Sequence, residues 1–176
     1  MKILFASCAA IFTALMMLAT PSLAQVASPP AKADCHFTDG KTVHIDYSSP
    51  RMRGRKIFGD LVVYGEVWRV GANEATTFVP DTDLIVGGKT VPKGSYTLFA
   101  IPKPNAWTLI ISKETGEWGI PYPGEESDFA RVAMQVSKLP SPLEDFTISF
   151  DHDASACTMH LDWETTRASV RISEKK

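Results

Sequence analysis

A chain of 176 residues carrying a formal net charge of −2, with 22% charged and 44% hydrophobic residues, can bury one sizeable core. Its near balance of charge excludes general affinity for nucleic acid. Three cysteines are too few for a disulfide-dense scaffold, and they form no paired zinc-ligand motif.

The chain opens as a secretory signal does. Lys2 supplies positive charge, Ile3 to Leu18 form an apolar run, and Pro21-Ser22-Leu23-Ala24 ends in small residues. The run falls short of the roughly 20 residues that span a bilayer, so cleavage after Ala24 is expected, with no membrane span afterwards. Residues 25–34 are small, Pro-bearing and non-periodic, which reads as a disordered leader ahead of a domain spanning 35–173. Cys8 leaves with the signal. Cys35 and Cys157 are then the two remaining cysteines, and in an oxidising compartment they are expected to pair.

From Thr42 to Ser48 polar and apolar residues alternate, as in a half-buried strand. Leu84 to Val91 reads as a hairpin through Gly87-Gly88, and Pro92-Lys93-Gly94 turns into a strand over 96–101. Further short runs follow at 107–112, 132–136, 146–150, 157–165 and 168–172, each bounded by Gly, Pro, Asp or Asn. Helix is confined to a short piece near 125–130 and a single turn near 60–64. Eight or nine short strands predict an all-β fold, a single antiparallel sandwich or open barrel.

The stretch from Asp46 to Thr77 concentrates the polar chemistry. Arg51, Arg53, Arg55 and Lys56 make a local cationic run, and Arg69, Asn73, Glu74 and Thr76 follow Trp68 across Gly71. Guanidinium groups in such a run suit carboxylates, phosphates or sulfated sugars, while the competing reading is a solvated loop or a structural ion pair. The ligand-binding candidates are Arg53, Arg55, Trp68, Arg69, Asn73, Glu74 and Thr76, together with Arg167 near the end of the chain. The loop 117–124, rich in Pro and Gly, presents Trp118 and Tyr122 as a second candidate surface.

The runs YSSPRMRGRKIFGDLV, YGEVWRVGANEATTF and VGGKTVPKGSYTLFAIP, with WTLIISKETGEWG and WETTRASVRI, resemble a family of exported bacterial proteins catalogued as a domain of unknown function. The resemblance covers about Phe37 to Ile172 and implies no activity or cofactor. It directs attention to Arg53, Gly54, Arg55, Trp68, Arg69, Gly71, Ala72, Asn73, Trp163 and Arg167.

Other chemistries have weaker support. His44 with Asp46 and His160 with Asp162 each share a strand face, as metal ligands on neighbouring strands would, but the wet face of any strand looks the same, so no metal is expected. No G-x-S-x-G elbow is present, and no catalytic residue or cofactor is assigned. The expected function is a binding module for a small polar or anionic ligand or a glycan. The rivals are a hydrolase of envelope polymers using Glu74 and a structural partner in the envelope.

Overall fold

The computed structural model describes residues 28–153 and 155–176; the expected signal peptide lies outside them. Nine strands follow in chain order: β1 (Pro30–His36), β2 (Thr42–Ser48), β3 (Thr76–Pro80), β4 (Leu84–Val86), β5 (Lys89–Val91), β6 (Tyr96–Ile101), β7 (Ala106–Ser112), β8 (Asp128–His152) and β9 (Ala156–Glu174). All pair antiparallel in one sheet, ordered β1-β2-β3-β6-β7-β8-β9-β4-β5, whose ends do not join. The protein is all-β. Among the described residues, no helix is long and apolar enough to cross a membrane.

β1 takes in Pro30 to Asp34, which composition reads as leader. Ala31, Ala33 and Cys35 alternate toward the interior, but alanines are too small to make that periodicity visible, and seven register pairs with β2 hold the segment. The helical turn expected near 60–64 is absent; this segment is held by Val62 N–H donating to Ile57 O at 2.9 Å and Gly59 N–H donating to Val62 O at 2.9 Å. Near 125–130, three residues of 3₁₀ helix, Glu125–Ser127, lead straight into β8.

The last two strands differ most from expectation. The runs at 132–136 and 146–150 belong to one strand of 25 residues, and those at 157–165 and 168–172 to one of 19. Pro140 and Pro142, read as breakers, sit exposed where the β8–β9 register shifts between Lys138 and Leu143, the kind of irregular position at which a sheet tolerates proline. The two strands also bend. His160 and Ser169 are nine residues apart on β9, yet Nδ1 and Oγ lie 2.8 Å apart, whereas nine extended residues span about 30 Å. The bend passes through Glu164, whose φ is +54°.

Bending lets one sheet wrap around its own core. Past the bend, β8 meets the chain that follows β2, with Phe146 N–H donating to Pro50 O and Met52 N–H donating to Glu144 O, both at 2.8 Å. Cys35 on β1 and Cys157 on β9 form a disulfide with a Cα separation of 6.3 Å, joining the first strand of the sheet to the seventh. Phe58, Trp68, Trp107, Phe146 and Trp163 make a contiguous aromatic cluster inside, mostly edge to face, with Trp68 and Trp163 stacked at 6.1 Å.

Candidate functional site

Two consecutive loops and a third, almost fifty residues further on, line a cavity of about 610 Å³. The first leaves β2 and carries Arg51, Arg53 and Arg55; the second runs from Leu61 to Asn73; the third contributes Gly119 and Ile120. Backbone pairing fixes the second loop against the sheet. Trp68 and Ala100 exchange two hydrogen bonds of 2.8 Å across to β6, so the indole is seated at the cavity floor beside Trp163.

The chain then turns sharply. Val70 and Asn73 hold φ of +52° and +55°, and Arg53 in the first loop holds +50°. Three of the four non-glycine residues with left-handed backbone among the described residues thus belong to the loops around the cavity, where such conformations each cost on the order of 1–3 kcal/mol. Thr76 holds the turn closed by donating from its buried hydroxyl to Val70 O at 2.6 Å, and Asn73 Nδ2 donates to Ser28 O and Ser48 Oγ at 3.1 and 3.2 Å. Gly71 has φ +146°, and a Cβ there would stand 2.9 Å from Ser48 O, so only glycine lets the turn lie against β2. At Gly119 a Cβ would come within 3.0 Å of Arg69 Cβ. The third loop therefore rests directly on Arg69, tied down by Ala75 N–H donating to Glu117 O at 3.0 Å.

The charge of the lining is one-sided: four guanidinium groups, from Arg51, Arg53, Arg55 and Arg69, against the single carboxylate of Glu66. Arg51 pairs with Asp145, and Arg55 is held in place by donating to Met52 O at 2.9 Å and Arg51 O at 2.7 Å. Arg69 differs from these. It is half-buried, burial pushes its pKa below the ordinary guanidinium value, and no ion pair or hydrogen bond within the described residues engages its head group. It remains a cation at neutral pH, and a half-buried cation that no described residue engages attracts any anion that reaches it.

Of the sequence candidates, Arg53, Arg55, Trp68, Arg69 and Asn73 come together at this cavity. Glu74 is exposed and outside the lining, and Thr76 is buried in the supporting turn. Arg167 is elsewhere. Its Nε and Nη2 donate to the buried carboxylate of Asp162 at 2.9 and 2.6 Å, across the bend of β9. The second candidate surface divides: Trp118 is 58% exposed, whereas Tyr122 packs its ring 5.2 Å from Phe99 and donates its hydroxyl to Asp128. Burial, and then that carboxylate, push the Tyr122 pKa up to about 12. Tyr122 anchors the loop and Trp118 projects from it.

Several features escape a reading of the sequence. Glu66 and the apolar wall of Leu61, Val63 and Ile120 sit in irregular segments that lack periodicity. His160 and Asp162, read as the wet face of a strand, are 5% and 4% exposed because the bend folds Ser169 and Arg167 over them. His160 also contacts Asp151 Oδ2 through Nε2 at 2.9 Å. This Asp151–His160–Ser169 chain has the connectivity of an acid, base and hydroxyl, but none of the three lines the cavity. The pairs His44–Asp46 and His160–Asp162 lie on β2 and β9, which are not neighbours in the sheet; His44 instead contacts Asp34 and Asp46. The one compact group of metal-ligand types among the described residues is Cys35, His152 and Cys157, and its sulfurs are bonded to each other.

Fold and site together define a disulfide-bonded all-β domain with an arginine-lined, aromatic-floored cavity. The chain belongs to the family described as "Protein of unknown function (DUF2911)", which matches residues 28–172. No curated protein and no solved structure matches it.

Proposed function

We propose that the protein is an exported binding module that holds a small anion, with an apolar or aromatic body, in the arginine-lined cavity. Arg69 is the observation that carries this reading: a half-buried cation whose head group no described residue engages, at the wall of a cavity floored by Trp68. A phosphate, sulfate or carboxylate would accept hydrogen bonds from it, while Leu61, Val63 and the indole contact the rest of the ligand. The signal-like start of the sequence and the Cys35–Cys157 disulfide support export. A hydrolase using paired carboxylates receives less support, because Glu66 is the single carboxylate of the lining.

Calorimetric titration with phenyl phosphate tests the proposal. Arg69→Ala is expected to weaken binding about 30-fold, the effect of losing about 2 kcal/mol of charge-assisted hydrogen bonding, with the melting temperature unchanged. Equal affinity in both proteins, or a large drop in melting temperature with affinity intact, would make Arg69 a structural residue.

A further inference from the structure

We propose that the cavity mouth docks on a membrane surface and takes the phosphate headgroup of an anionic phospholipid. This rests on the anion-binding reading above and adds what presents the anion.

Leu61, Val63, Tyr64, Trp118 and Ile120 are five of the seven large hydrophobic side chains exposed among the described residues. Leu61, Val63 and Ile120 line the cavity itself, and Tyr64 adjoins Val63. Trp118 projects from the loop that rests on Arg69. At 58% and 66% exposure, Trp118 and Ile120 face water across most of their surface, although nearby backbone is pinned to the sheet. Apolar side chains gathered this way mark an interaction surface.

Exposed apolar side chains and four guanidinium groups meet at one cavity, and that combination discriminates among partners. A small free anion inside the cavity uses the arginines, Leu61 and Val63 but leaves Tyr64 and Trp118, which lie outside the lining, in water. A bilayer of anionic lipid uses both: phosphate reaches the guanidinium groups while tryptophan, tyrosine and aliphatic side chains enter the headgroup–acyl boundary. The attraction is local. Glu66 and Glu117 share these loops and the whole chain is net acidic at −2, so the arginines that line the cavity, and not the charge of the molecule at large, select the anionic headgroup.

The test uses a chain beginning at Gln25, which retains every described contact and lacks the apolar run that would itself partition into lipid. Vesicles of phosphatidylcholine are compared with vesicles also containing phosphatidylglycerol. Binding is expected only to the second, and about fivefold weaker for Arg69→Ala, as one cation near an anionic surface contributes. Trp118→Ser with Tyr64→Ser, both outside the cavity lining, should weaken vesicle binding about tenfold through lost apolar burial. Phenyl phosphate affinity should not change in that variant. Brominated lipid should quench Trp118 in the unaltered protein, and because Trp107 and Trp163 are buried while Trp68 is half-buried in the cavity, a single Trp118→Phe variant should lose most of that quenching; this readout stands even if the double variant folds poorly. Phenyl phosphate binding without vesicle binding overturns membrane docking and leaves the cavity reading intact. Failure of both overturns both. Equal binding to the two vesicle types, or no quenching of Trp118, also overturns the docking inference.

Discussion

Arg167→Ala separates a structural arginine from a binding one. Asp162 has a side chain only 6% exposed, and both of its oxygens accept from Arg167, at 2.9 and 2.6 Å. Truncating Arg167 leaves that carboxylate buried without its cation, an arrangement that costs about 3–5 kcal/mol in fully buried pairs. Because Arg167 is itself 34% exposed, water screens part of the interaction, and about 3 kcal/mol is the appropriate end of the range. For a domain of this size that lowers the melting temperature by roughly 10 °C. Thermal unfolding followed by circular dichroism measures it, and the double variant Asp162→Asn with Arg167→Met should recover most of the loss, since the uncompensated charge is gone. Phenyl phosphate affinity should match that of the unaltered protein. An Arg167→Ala protein with an unchanged melting temperature and lost affinity would refute the assignment.

Two further outcomes follow from other contacts. Replacing both Cys35 and Cys157 by serine should lower stability to denaturant by about 4 kcal/mol, because the bond closes a very long loop of the unfolded chain; coincident urea curves would contradict it. His44 has its pKa raised by hydrogen bonding to Asp34 and by the charge of Asp46, so its folded value lies above an unfolded value near 6.5. The stabilisation is then fully present below about pH 6.5 and lost as pH rises through the folded value. His44→Gln should flatten that decline in melting temperature, and an identical slope in both proteins would exclude His44 as its source.

What the sequence discloses follows from how local each feature is. Thr42 to Ser48 alternates because β2 packs one face on the core, and Val43, Ile45 and Tyr47 are buried as the period requires. Cys157, Met159, Leu161 and Trp163 likewise share a core face on β9. The bend at Glu164 is invisible beforehand, because it arises where β8 and β9 shift register and not from any residue with a strong turn preference. That single bend moves Arg167 away from the cavity and buries His160 and Asp162.

The site was legible to the extent that its residues adjoin. Arg53, Arg55, Trp68, Arg69 and Asn73 lie in two consecutive loops and do meet. Glu74 follows Asn73 in sequence but points to solvent, because the left-handed backbone at Asn73 redirects the chain. Ile120 comes from a loop almost fifty residues further on, and only close approach at Gly119 places it there.

The most direct measurement is the crystal structure of the protein soaked with phenyl phosphate. The cavity reading predicts phosphate oxygens within hydrogen-bonding distance of the Arg69 guanidinium and the phenyl ring against Trp68. Full occupancy at any other surface, with the space beside Arg69 holding only solvent, would contradict it.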